Sequence, residues 1–124
     1  MTGSATTGHN LALGAYGERV AERHLVAAGM TVLDRNWRCA AGEIDLVLRD
    51  GDVLVVCEVK TRTSAAYGTP HEAVGDAKVD RLRRLAMAWQ TERGVTAPDV
   101  RLDLVAVLRP RRGAAEVEHV RGIG

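Results

Sequence analysis

The run Val53-Leu54-Val55-Val56-Cys57 is apolar at consecutive positions, so both faces of the strand it predicts have to be covered. A strand buried on both sides needs neighbours along its edges and a layer above and below it. In a chain of 124 residues that leaves room for one sheet held between helices. Glu43 to Arg49 reads as the preceding strand, joined to Val53–Lys60 through Asp50-Gly51 as the central residues of a type I′ hairpin turn.

The remaining elements fit around this hairpin. Residues 1–9 read as a flexible arm and 10–124 as a single domain. Asn10 predicts the cap of a helix to about Ala28, stopped by Gly29. On its wheel Gly14, Glu18, Ala21 and Leu25 form one stripe, which sets a carboxylate among small and apolar neighbours. Thr31 to Trp37 reads as a strand and Thr61 to Thr69 as a loop. Thr69-Pro70-His71-Glu72 carries a helix-start signature, which Gly75 interrupts before Asp76 recaps a helix to Arg93. Lys78, Leu82, Leu85 and Trp89 share a face of that helix. Val100 to Leu108 and a short Glu116–Val120 complete the pattern. The order αβββαβ predicts an α/β fold, a mixed central sheet flanked by helices.

Composition excludes several classes. Hydrophobic residues at 46% and charged residues at 27% describe a globular chain. No apolar run approaches the roughly 18–20 residues of a membrane span. The uncharged beginning is rich in Gly, Ser and Thr and lacks the basic start of a secretory signal. Cys39 and Cys57 lack zinc-ligand spacing, and His9, His24, His71 and His119 are scattered. The expected compartment is therefore the cytoplasm, with no membrane partner. Charge divides unevenly: residues 1–59 hold five Arg against eight acids, and residues 60–124 hold twelve Lys and Arg against eight acids. An acidic cluster beside a cationic surface suits a polyanion bridged by a metal ion.

In the hairpin register predicted above, Arg49 faces Asp52, and Asp45 and Glu58 become diagonal neighbours. Glu43, Asp45, Glu58 and Lys60 project to one face, and Ile44, Leu46, Val55, Cys57 and Val59 to the other. Acids converging without matched bases raise one another's pKa, a conflict that a hard divalent cation resolves. Glu18 from the helix stripe would complete the ligand set, and Lys60 would flank the ion and assist an attacking water. The plainer alternative is a surface ion pair between Glu58 and Lys60, with Asp45 solvated. Arg62 and Lys78 are candidates for phosphate contact, against a solvated loop charge and a snorkelling lysine. Asp103 is expected to pair with Arg101 or a neighbouring strand, and Trp37 and Trp89 to be core residues.

The segment Gly42-Glu43-Ile44-Asp45-Leu46-Val47, followed at its spacing by Glu58-Val59-Lys60, resembles the PD-(D/E)xK nuclease signature. With Gly14-Ala15-Tyr16-Gly17-Glu18, Asn36-Trp37-Arg38, Lys60-Thr61-Arg62, Tyr67-Gly68, Lys78 and Arg101-Leu102-Asp103, the chain is similar to the YraN family over about Leu13 to Val107. That resemblance implies a three-layer restriction-endonuclease-like fold related to archaeal Holliday junction resolvases. It also implies that Asp45, Glu58 and Lys60 are metal and catalytic positions, with Glu18 the helix acid. Ile44 stands where the signature has Pro, and Cys57 where the family usually has an aromatic residue. The expected function is a Mg²⁺- or Mn²⁺-dependent endonuclease acting on DNA, branched DNA in particular, and a homodimer would suit cutting two strands. The alternative is a non-catalytic nucleic-acid-binding or assembly module on the same fold.

Overall fold

The computed structural model describes the backbone of residues 3–63 and 75–124, with side chains over 11–63 and 75–124. Its elements are α1 (Gly3–Ala27), β1 (Thr31–Cys39), β2 (Gly42–Asp50), β3 (Val53–Arg62), α2 (Asp76–Arg93), β4 (Asp99–Leu108) and β5 (Glu116–Val120). The strands form one mixed sheet in the order β1-β2-β3-β4-β5, antiparallel except for the parallel pair β3–β4. The return from β3 to a parallel β4 carries α2, the crossover that parallel strands require.

Both faces of β3 are covered, as its apolar run demands. Val20, Ala21 and Leu25 of α1 pack on one face with Leu46, Leu48, Val55, Cys57, Val105 and Val107. On the other face Leu82, Leu85, Ala86 and Trp89 of α2 pack with Trp37, Ile44, Val47, Leu54, Val56 and Leu102. Each fully buried aliphatic side chain contributes about 1.5–3 kcal/mol over an exposed one, and these two clusters lock the helices on. Both tryptophans are core residues, with their indole N–H groups donating to Glu92 and Asp34. Cys57 is buried on the α1 side, so the small residue there is a packing feature.

Two boundaries differ from the sequence reading. Helix α1 begins at Gly3, so Asn10 lies inside it rather than at its cap; adding residues to a formed helix is far easier than nucleating one. Helix α2 ends at Arg93 as read, with Gly94 in the left-handed conformation, but its N-cap is Gly75 and Asp76 is its first residue. The Thr69-Pro70-His71-Glu72 start and Tyr67-Gly68 lie outside the described residues.

Asp103 is structural, as expected. It is fully buried and accepts from the Arg101 guanidinium at 2.8 and 2.9 Å and from the Gly122 N–H at 3.1 Å, with His119 Nε2 at 2.7 Å. Burial alone would push its pKa up, but these partners hold it below the ordinary range.

Helix α1 reaches the far end of β3 because Gly17 has no side chain. A Cβ there would lie 2.8 Å from Thr61 Cβ and 2.9 Å from its Cγ2, so rotating Thr61 brings no relief. Gly17→Ala is therefore expected to cost about 1–3 kcal/mol in urea denaturation. Gly14→Ala, where a Cβ meets nothing within 4 Å, should instead stabilise by up to about 1 kcal/mol. Equal effects of the two substitutions would contradict this close approach.

Candidate functional site

Strands β1 and β2 change face together next to α1. Arg35 and Leu46 point toward α1, Arg35 through its two bonds to Glu22 and Leu46 through the α1-side core. The next pair along the register, Asn36 and Asp45, also points toward α1, and both line a cavity there with Glu18. Trp37 and Ile44 then lie in the α2-side core. Alternation is thus broken at this point in both strands, and β1 carries a further irregularity between Val32 and Asp34. Asn36 adopts φ 49°, a left-handed conformation that asparagine tolerates better than other side chains, and this permits the break.

The hairpin register differs from the predicted one. Asp50 pairs with Val53, so the loop is Gly51-Asp52, with positive φ at Gly51 alone. Glycine in the first of two loop positions belongs to a II′ rather than a I′ turn. The shift is an even number of residues, so the faces of paired positions are unchanged. Continued, this register would set Asp45 opposite Glu58. The ladder instead stops at Leu46–Cys57, and Asp45 Oδ2 accepts the Val59 N–H at 2.8 Å. A side-chain oxygen takes over the role of a backbone carbonyl and plugs the opening between the strands.

Around that opening the structure collects carboxylates. Oxygen atoms of Glu18, Glu43 and Asp45 lie within 4.8 Å of one another, and all three residues are partly buried. Burial is the main cause that lifts the Asp45 pKa to about 7, with the charges of Glu18, Glu58 and Glu43 adding to it and the Val59 N–H opposing. Glu18 is raised as well, first by burial and then by Glu43, against hydrogen bonding with Asp45 and Asn36. Arg38 bonds Glu43 from the exposed side.

The expectation of one shared face is corrected here. Glu58 follows the regular alternation of β3 and points toward α2, where Lys78 Nζ lies 2.8 Å from its Oε2 and Arg81 3.6 Å from its Oε1. The Lys78 contact is an ion pair without hydrogen-bond alignment, and among the described residues that buried oxygen has no hydrogen-bond partner. Lys60 lies against Lys78; its pKa is lowered by burial and by that neighbour, with Glu58 and Asp45 opposing. Glu58 and Lys60 thus approach the opening from the α2 side, and Asp45, Glu43 and Glu18 from the α1 side. They remain within mutual electrostatic reach. The flip of Asp45 in β2 separates them, which strict alternation could not foresee.

Other candidates fall as follows. Lys78 is the ion-pair partner of Glu58, at the head of the apolar face of α2. Arg62 closes β3, and its carbonyl accepts the Arg109 N–H at 2.8 Å. Sequence reasoning left Glu43 without a role, and the structure brings it into the acid cluster. It also missed Arg81 as a partner of Glu58; the spacing of Lys78 and Arg81 by three on a helix was the available signal.

The raised Asp45 pKa has a definite consequence for stability. The native state holds a proton on Asp45 up to about pH 7, whereas the unfolded chain releases it near 3.8. Stability therefore falls as pH rises between these values, and the cost is complete above 7. Asp45→Asn keeps an acceptor for Val59 and removes the charge. In urea denaturation its advantage over wild type should be about 2–3 kcal/mol larger at pH 8 than at pH 5. An identical pH dependence of the two proteins would contradict this.

Among the described residues no helix is long and apolar enough to cross a membrane. Residues 17–107 match the model of the uncharacterised protein family UPF0102. A UPF0102 protein of Nocardioides sp. is 68% identical over 124 residues, covering all of both chains. Another from Beutenbergia cavernae is 61% identical over 91% of this chain and 96% of its own. The UPF0102 protein SCO5602 of Streptomyces coelicolor is 60% identical over 90% of this chain and 88% of its own. The matched span runs from the glycine that lets α1 close on β3 to the penultimate residue of β4, and the chain belongs to the UPF0102 family, the YraN-like proteins of its sequence resemblance.

Proposed function

We propose that this protein is a Mg²⁺- or Mn²⁺-dependent DNA endonuclease of the PD-(D/E)xK type that hydrolyses phosphodiester bonds, with branched DNA the substrate its resemblance favours. The observation that carries this reading is the Asp45 carboxylate, grouped with Glu18 and Glu43 at ligand distance and raised to about pH 7, beside Glu58 and Lys60. A strained all-oxygen donor set of this kind suits a hard divalent cation. Glu58 Oε2, buried and ion-paired with Lys78 but without a hydrogen bond among the described residues, offers a further oxygen from across the opening.

In this reading Glu18, Glu43 and Asp45 hold the cation, with Glu58 contributing from the α2 side. When bound, the cation supplies neutralisation of the cluster and polarises a phosphoryl oxygen. The Val59 N–H keeps the Asp45 carboxylate aimed into the opening. Lys60 orients the attacking water and donates to the phosphate oxygen on which charge develops. Lys78 and Arg81 hold Glu58 in place and keep its charge balanced until substrate arrives. That same pairing favours a second reading, in which Glu58 is permanently occupied and the protein is a non-catalytic DNA-binding module.

Two measurements separate them. Millimolar Mg²⁺ or Mn²⁺ should raise the Tm of the wild type and leave Asp45→Asn unchanged, because only the native state assembles the ligands. Wild type should also cut branched DNA in Mn²⁺, and Lys60→Ala should lose cutting while still binding. Binding without cuts in linear, flapped and four-way DNA under either metal would establish the second reading. Equal melting of wild type and variant with and without metal would remove the metal centre.

A further inference from the structure

Between α1 and β1 lies a cavity of about 430 Å³ whose lining includes Glu18 and Asp45 of the acid cluster. Its floor is the partly buried Glu18 and Asp45 with the buried Leu46, while Arg19 and Arg23 stand on its exposed rim. Glu22 is already matched, since Arg35 binds it with two bonds of 2.6 and 2.8 Å. Among the described residues neither Arg19 nor Arg23 forms an ion pair. Acids deep and unpaired arginines at the mouth make a polar gradient, in which an anion is gripped at the rim and led toward the cation seat.

We infer that this cavity seats the sugar–phosphate backbone of a single DNA strand, with Arg19 and Arg23 pairing with successive phosphates. The inference rests on the reading of DNA as substrate and goes further by assigning its path and its strandedness. Arg19 and Arg23 are one helical turn apart, about 6 Å along the axis, so they grip two points on an extended strand. The cavity is in the size range that encloses a small ligand, roughly 300–1,000 Å³, which suits a short stretch of one strand's backbone rather than a whole duplex. Among the described residues no aromatic side chain lines it, so these offer no platform for stacking a base and suit the backbone instead. Guanidinium forks suit phosphate oxygens, and two such contacts carry no sequence preference.

The test is binding of a fluorescein-labelled single-stranded oligothymidylate in EDTA, followed by anisotropy across a salt series. Arg19→Gln/Arg23→Gln should bind about tenfold more weakly at about 0.15 M salt, and its slope of log affinity on log salt should flatten by about 1.4. The exposed pair Arg111→Gln/Arg112→Gln, in the turn between β4 and β5, should match wild type in both respects. Circular dichroism should show all three proteins equally folded, glutamine being as good a helix former as arginine. Equal losses in both double variants, or none in Arg19→Gln/Arg23→Gln, would overturn the seat while leaving the hydrolytic reading intact. A wild type that binds neither this oligonucleotide nor four-way DNA, in EDTA or with Mn²⁺, would overturn both. Binding as described, with no cuts in this oligonucleotide or in flapped and four-way DNA when Mn²⁺ is added, would keep the seat and defeat hydrolysis.

Discussion

One hydrogen bond organises the functional end of this fold: Asp45 Oδ2 accepting the Val59 N–H where the β2–β3 ladder stops. An edge of unpaired backbone inside a sheet is costly, and the carboxylate satisfies one such donor while holding the strands apart. To reach it, β2 abandons alternation at Asp45, and β1 does the same at Asn36 with its positive φ. The result is an opening into which side chains from both helices converge.

The two helices bring opposite charges to that opening. Helix α1 contributes Glu18, placed by the close approach that Gly17 permits against Thr61. Helix α2 contributes Lys78 and Arg81, which take Glu58, with Lys60 beside them. Glu18, Glu43 and Asp45 thus crowd on the α1 side, while Lys60, Lys78 and Arg81 gather around Glu58 on the α2 side. A cation on the first side and a phosphate reaching the second would satisfy both at once, and this complementarity is what the proposed hydrolysis uses. The charge asymmetry between the halves of the sequence is the same division in one dimension.

Much of this was legible in the residues. The apolar run of β3 dictates a central strand and hence two covering helices, and α2 shows its inward face at Leu82, Leu85 and Trp89. Asp103 and both tryptophans sit where their chemistry placed them. Three things were not legible. The turn slipped because Asp-Gly satisfies a I′ rule, whereas the ladder uses Gly51-Asp52, and the even slip left faces unharmed. The common face of Asp45 and Glu58 failed because period two holds only while a strand stays regular, and asparagine at position 36 was the only local hint that it does not. Finally, the bond from the Val59 N–H to Asp45 Oδ2 joins two strands just where their ladder stops, a contact that spacing along the chain cannot encode.

The proposed metal centre depends on the state of the Asp45 carboxyl, which a ¹³C NMR pH titration of labelled aspartate reads directly. It predicts a midpoint near 7, moving down by a unit or more on adding millimolar Mg²⁺ as the cation displaces the proton. A midpoint near the ordinary value of about 3.9, unmoved by Mg²⁺, would mean that the opening holds a solvated side chain and no metal centre.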